Sequence, residues 1–326
     1  MKKPECIYCG SIYLRKVDIT DGNVNVVCCT CDEVYPSFWQ KTHFSIKHMI
    51  KKMIKKIIVV LVILVLLPQN ALALNTYTTD LELSSSQYFS IAHASQAGLS
   101  LATDFSLEAY IKLEQLPSVA GETMMIVSKH KEGNQTTTGY RMYLTSTNRL
   151  YVQYTNSAGD TSQTLVYMTY SEFYDWTADW SRVSVACDIS VPSCQWYIDG
   201  VATTTTIQLS LATNVQQNTE AFQVGATTES GGGAGKFTDG LVDDVRVWND
   251  IRTAQEISDN YNCSLAGSEN NLQGYWRFDN NGDGSTANSN DLTNNNVATF
   301  QSASRPFTAT CGATAASSFS SSIINL

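Results

Sequence analysis

Along residues 182–188, R-V-S-V-A-C-D, every second position is apolar, so Val183, Val185 and Cys187 share one face of a strand. Residues 194–199, C-Q-W-Y-I-D, repeat the pattern with Cys194, Trp196 and Ile198. Opposing Cys187 to Cys194 also opposes Val185 to Trp196 and Val183 to Ile198, which gives a hairpin with one wholly apolar face. Directly opposed residues on antiparallel strands sit about 4.5–5.5 Å apart, within the span of a disulfide, so Cys187 and Cys194 can close the loop D-I-S-V-P-S. Asp199-Gly200 is a tight-turn dipeptide, and it predicts a further strand over residues 201–209.

Residues 237–248, F-T-D-G-L-V-D-D-V-R-V-W, read as another strand. Strict alternation puts Leu241, Val245 and Val247 on one face, with Asp243 among them, and Val242 and Trp248 on the other. Thr253 and Glu256 fit a capping box, in which each side chain satisfies a free amide of a first helical turn, so a short helix is expected through Asn260. G-Y-W-R-F (274–278) then starts a returning strand.

Six pieces carry a family resemblance: D-F-S-L-E-A-Y-I-K (104–112), W-S-R-V-S-V-A (180–186), W-Y-I-D-G (196–200), F-Q-V-G (222–225), D-G-L-V-D-D-V-R-V-W (239–248) and G-Y-W-R-F-D (274–279). In this order they resemble the bacterial laminin-G-like, or concanavalin A-like, domains. The resemblance implies an all-β fold, a two-sheet antiparallel jelly-roll sandwich, over about residues 74–303. A fold of this type hosts lectins, adhesins, hydrolases and spacers, so function has to be argued from the site.

Charge divides the chain. Residues 74–326 hold 11 Lys or Arg against 25 Asp or Glu, a net of −14, whereas residues 1–56 hold 10 against 5, a net of +5. An acidic surface rich in Thr, Ser, Asn and Gln suits an exported protein and argues against nucleic acid as a partner. The transition coincides with an export signal over 49–73: lysines at 51, 52, 55 and 56, an unbroken apolar run of 11 residues (57–67), and the small-residue cleavage pattern Ala71-Leu72-Ala73. The run is short for a membrane span, which takes about 20 apolar residues. Two arrangements stay open. Either translation starts at Met49 or Met53 and the protein is secreted or held at the cell surface, or the 57–74 segment is an uncleaved anchor with its N-terminus in the cytoplasm.

Upstream, Cys6, Cys9, Cys28 and Cys31 have the knuckle spacing of a zinc ribbon over residues 1–48, with Zn²⁺ as the implied metal if that segment is translated. In the exported part an even count of four cysteines fits an oxidising compartment. With Cys187 matched to Cys194, elimination leaves Cys263 for Cys311; buried free thiols are the alternative. Residues 304–326 form a low-complexity tail.

Asp279, Asn281 and Asp283, followed by Gly284, match the opening of a calcium loop, although Asn290 stands where a bidentate glutamate would complete the shell; a solvated Asn/Gly turn is the competing reading. Glucanases of this fold resemble one another in an E-x-D-x-E strand that lines carboxylates along one face of a cleft, and no such string occurs here. A non-catalytic module is therefore expected. For binding, aromatic rings stack on sugars, and Tyr174 and Trp176 are the expected exposed rings of S-E-F-Y-D-W (171–176). The loops at 129–139, carrying His130, and 229–236 are polar or glycine-rich, as recognition loops on a rigid sandwich tend to be. The expected partner is a glycan or a surface protein, with a structural or virion-decorating spacer as the rival.

Overall fold

The computed structural model describes residues 14–18, 24–28, 34–36, 75–133, 139–155, 163–168, 174–191, 193–207, 214–302 and 309–311. The chain divides into two compact units, 1–71 and 72–326. In the first, Leu14–Asp18, Val24–Cys28 and Val34–Pro36 form a three-stranded antiparallel sheet in that order. Cys6, Cys9 and Cys31, the export signal at 49–73 and most of the tail lie outside the described residues. Among the described residues, no helix is long and apolar enough to cross a membrane.

The second unit is a jelly-roll sandwich of two eight-stranded sheets. Sheet I runs Val201–Ala202, Ser193–Ile198, Ser181–Asp188, Phe105–Leu113, Gly240–Trp248, Tyr77–Leu81, Thr299–Ser302; Leu272–Trp276 pairs with the far half of Gly240–Trp248. Sheet II runs Thr205–Ile207, Gln163–Met168, Leu150–Thr155, Tyr140–Leu144, Met124–Lys129, Phe222–Val224, Tyr88–Ile91, Thr293–Asn295. Between them lies one core, in which alternate residues such as Leu107, Val185, Trp196 and Val247 from sheet I meet Phe89, Met142, Val152 and Phe222 from sheet II.

The hairpin adopts the expected register, with Val183 opposite Ile198, Val185 opposite Trp196 and Cys187 bonded to Cys194. The strand expected over 201–209 is instead divided. Val201–Ala202 continues the hairpin in sheet I, while Thr205–Ile207 crosses to pair with Gln163–Met168 in sheet II. This segment is the corner where the chain changes layers.

Alternation also breaks within Gly240–Trp248. Asp244 takes a left-handed conformation (φ 45°), and the register against Phe105–Leu113 shifts between Asp243 and Arg246. A bulge of this kind adds one residue and reverses the parity beyond it. Val242, Val245 and Val247 therefore all enter the core, while Leu241 packs outside with Tyr110 and Trp180.

The outer face of sheet I is also covered. The helix Ala254–Asn260, with its capping box of Thr253 and Glu256 formed, lays Ile257 against Ala186 and Tyr197. Trp248, Leu265, Leu272 and Tyr275 form a second cluster, against which Cys311 packs. The disulfide Cys263–Cys311 ties this cover down.

Beneath the cover lies a closed ionic network. Glu108 accepts from Arg182 (3.0 Å), Ser184 (3.2 Å) and the Trp248 indole (2.7 Å). Asp244 pairs with Arg182 (2.7 Å) and Arg246 (2.6 Å) and accepts from the Tyr275 hydroxyl (2.8 Å). Arg246 donates to the carbonyls of Asn260 and Cys263, which anchors the end of the helix. Burial alone pushes the Glu108 carboxyl up, but Arg182 and Arg246, with the hydrogen bonds from Arg182 and Trp248, outweigh it and hold the group below its usual range.

Removing one member of such a network strands a buried charge, which costs about 3–5 kcal/mol. Arg182→Ala is thus expected to lower the unfolding free energy by that amount, measured by urea denaturation, whereas Arg252→Ala, at a partly exposed pair, is expected to cost about 1 kcal/mol or less.

Candidate functional site

Sheet II presents its outward side chains in cross-strand rows. In Y-R-M-Y-L (140–144) and L-Y-V-Q-Y (150–154), Tyr140, Met142, Leu150, Val152 and Tyr154 point into the core, which leaves Arg141, Tyr143, Tyr151 and Gln153 outside. Register sets Thr293, Ser90, Gln223, Ser128, Arg141 and Gln153 side by side across six strands. The neighbouring row is Met125, Tyr143 and Tyr151. One row is therefore polar and the other is aromatic and thioether.

Within these rows the geometry is tight. The Arg141 guanidinium donates twice to Gln153 Oε1 (2.8 and 2.6 Å), pairs with the Glu132 carboxylate, and lies 4.6 Å from the centre of the Tyr143 ring. Tyr143 and Tyr151 stack with centroids 5.5 Å apart, and 7% and 8% of their surfaces reach solvent.

Two loops singled out by the sequence meet beside this face. Lys131 bridges to Thr228, the Glu132 amide donates to the Thr228 carbonyl (2.8 Å), and a side chain at Gly133 would touch Ser230. Thr227–Thr228 and Ala234–Gly235 form the hairpin on the other side, starting after Gly225, where a left-handed turn (φ 84°) leaves no room for a Cβ against Leu81. Thr227 donates to the His130 carbonyl (3.3 Å) and bonds the Ser128 hydroxyl (2.8 Å), and Gln223 donates to Thr228 (2.9 Å). Residues 134–138 of the first loop lie outside the described residues.

His130 sits at this junction but not as an exposed side chain; it is 2% exposed, and neither ring nitrogen has a hydrogen-bond partner. Burial, reinforced by the Arg141 charge, holds its pKa well below 6.5 and keeps the ring neutral. Gln223 Oε1 is likewise buried without a partner. Lys129, one residue earlier on the opposite side of the strand, donates to the Glu220 carbonyl (2.7 Å), and burial pushes its amine down to about 8 against the opposing pull of Glu220.

Burial corrects the expectation of an exposed ring for Trp176. Trp176 is 1% exposed, with its ring in the core and its indole N–H on the Asn148 carbonyl (3.0 Å), so the fold uses it to close one end of the sandwich. Tyr174 is partly buried, packs 4.3 Å from Trp176, and its hydroxyl bonds Ser181 (2.7 Å).

The residues of the expected calcium loop are engaged with their own chain. Asp279 Oδ1 accepts from the Thr76 amide and hydroxyl and from the Tyr77 amide, each at 3.2 Å, which ties down the first strand. Asn281 donates to Asp283 (2.9 Å), and Asn290 clamps both the amide and the carbonyl of Ala97. A different group of oxygens converges at the end of sheet I. The carboxylates of Asp80, Glu82 and Glu114 lie within 4.8 Å of one another, with Asp239 adjacent. Burial first, then the neighbouring acids, raises the pKa of both Asp80 and Glu114. These oxygens are of the type that holds a hard cation.

His130 makes the fold acid-sensitive. Its folded pKa lies below that of the unfolded chain, so the unfolded state binds the proton first and stability falls as pH drops below about 6.5. Urea midpoints at pH 7.5 and 5.5 are expected to fall further for the wild type than for His130→Phe; equal falls would contradict this.

The described fold is matched by known proteins at the level of architecture. Residues 83–258 match the family model of the concanavalin A-like lectin/glucanases superfamily. No match was found among curated proteins. Among solved structures, a protein of Bacteroides ovatus ATCC 8483, provisionally described as a carbohydrate binding protein, aligns with a TM-score of 0.51 at 17% identity. The alignment covers 72% of this chain and 61% of that one, so the chain spans under two thirds of that protein's length. The native heptameric SAP-like pentraxin of Limulus polyphemus aligns with a TM-score of 0.48 at 12% identity, covering 71% of this chain and 96% of that one. A CBM40 from the IT-sialidase of Ruminococcus gnavus, bound to α2,3-sialyllactose, gives a TM-score of 0.41 at 11% identity, over 58% of this chain and 100% of that one. At such identities the likeness is one of fold. On the family match, which covers more than half of its length, this chain belongs to the concanavalin A-like lectin/glucanases superfamily.

Proposed function

We propose that the protein is an exported, non-catalytic module that recognises carbohydrate on a surface and so serves adhesion. The observation that carries this reading is the loop junction on the outer face of sheet II. There the sheet sets a stacked tyrosine pair beside a fixed Arg141–Gln153–Glu132 array, and two polar loops meet beside it. Flat rings and planar amide and guanidinium groups are the chemistry that recognises sugar faces and hydroxyls. Two disulfides in the sandwich support a site of action in an oxidising, extracellular setting. The matched family and the Bacteroides fold relative lend the reading further support.

Calcium is a proposed helper. Asp80, Glu82 and Glu114 offer one set of oxygens, and Asp279, Asn281 and Asp283 a second that would have to exchange its internal hydrogen bonds for the ion.

The test is a glycan-array screen of the purified protein with calcium and again with a chelator. Selective binding is expected, with Tyr143→Ala or Arg141→Ala weakening it by about tenfold or more in protein that circular dichroism shows to be folded. Loss of binding in chelator would assign calcium to recognition. Absence of binding under both conditions would remove the lectin reading in favour of a spacer or decorating domain.

A further inference from the structure

Asn281 and Gly282 form the single Asn-Gly pair of the whole chain. Asparagine is a labile residue, and most so before glycine, whose missing Cβ lets the next backbone nitrogen approach the side-chain carbonyl carbon. A fold suppresses this reaction by burying the asparagine or by holding that nitrogen in a hydrogen bond. Neither protection operates here. Asn281 is exposed, and among the described residues the Gly282 N–H forms no hydrogen bond.

Packing explains why the pair is kept. A Cβ at Gly282 would lie 2.6 Å from the Leu292 carbonyl oxygen and 3.1 Å from the Phe89 ring, while the Gly282 carbonyl accepts from the Leu292 amide (2.8 Å). Phe89 is fully buried and packs against Phe278 and Phe300, so the loop closes over the core at this point. Only glycine fits there. The asparagine before it stays on the outside, where its amide is gripped at both ends by one residue. The Asp283 N–H donates to Asn281 Oδ1 (3.2 Å), and Asn281 Nδ2 donates to Asp283 Oδ2 (2.9 Å). An N–H on that carbonyl oxygen is placed to stabilise the oxyanion that forms when Cγ is attacked.

We propose that Asn281-Gly282 is a self-modifying site, at which the folded protein converts to aspartyl and isoaspartyl forms without an enzyme. The Gly282 nitrogen loses its proton to water and bonds to Asn281 Cγ; the Cγ–Nδ2 bond breaks, and Nδ2 takes a proton from water and leaves as ammonia. Water then opens the five-membered ring. Attack at Cγ restores the backbone with an aspartate at 281, whereas attack at the backbone carbonyl carbon reroutes the chain through Cγ and makes it one carbon longer. Either product adds a negative charge between Asp279 and Asp283, and the second also lengthens the chain next to the packed Gly282. This chemistry is independent of glycan binding.

The experiment is incubation of the purified protein in heavy-oxygen water at pH 7.4, native and unfolded in urea, beside Asn281→Gln, with peptide mapping by mass spectrometry and circular dichroism to confirm folding. Isoaspartate arises only through the ring, and ring opening leaves one heavy oxygen in the peptide. Expected in native protein are both signatures at residue 281, at a rate within tenfold of the unfolded chain and faster than at any other described asparagine, and neither signature at residue 281 of Asn281→Gln. Native conversion more than tenfold slower than in urea would overturn the proposal, because the fold would then protect the pair. Faster native conversion at another described asparagine, or aspartate at 281 without isoaspartate, would overturn it as well.

Discussion

The sandwich turns on one backbone irregularity, the left-handed Asp244 at the centre of the strand Gly240–Trp248. Without that extra residue, Val245 and Val247 would leave the core with which Val242 is aligned, and the Asp244 carboxylate would not reach Arg182 and Arg246. With it, one strand serves both faces: valines inward, and outward a charged network that fastens the helix Ala254–Asn260 and the Cys263–Cys311 segment over sheet I. A network this deep adds little net stability compared with apolar packing, but once present it cannot lose a member cheaply. Its effect is to commit sheet I to structure on both sides.

Much of this frame was legible in the chain. The hairpin register followed from alternation alone, because 183–187 and 194–198 each put three large apolar groups on one side and a one-residue slip would expose them all. The capping box of Thr253 and Glu256 was equally local. The parity change at Asp243-Asp244 was not, since alternation assumes an unbroken ladder; the one available signal was a pair of adjacent aspartates, residues that tolerate left-handed backbone, inside an apolar strand. The split of 201–209 between sheets was hidden for a related reason: Val201-Ala202-Thr203-Thr204-Thr205 suits either layer.

The site was only partly legible. The loops at 129–139 and 229–236 stood out by composition, but their meeting depends on a bridge between residues nearly 100 positions apart, which no local pattern encodes. Aromatic content pointed to Trp176, yet a large ring next to a strand end is more useful as an end plug, and the fold buries it there. The stacked rings Tyr143 and Tyr151, themselves nearly buried, carried a readable signal, namely alternation with core residues in two neighbouring strands; their partnership with Arg141 and Gln153 required the register between those strands.

The central claim is that ligand recognition occurs where those two loops meet beside the outer face of sheet II. It is tested most directly by chemical-shift mapping of isotope-labelled protein titrated with an oligosaccharide. The account predicts perturbations concentrated at His130, Glu132, Arg141, Gln223, Thr228 and the 229–236 hairpin, with little change around the helix Ala254–Asn260. Perturbations confined to the acidic end near Asp80 and Glu114, or to the helix side of sheet I, would contradict it.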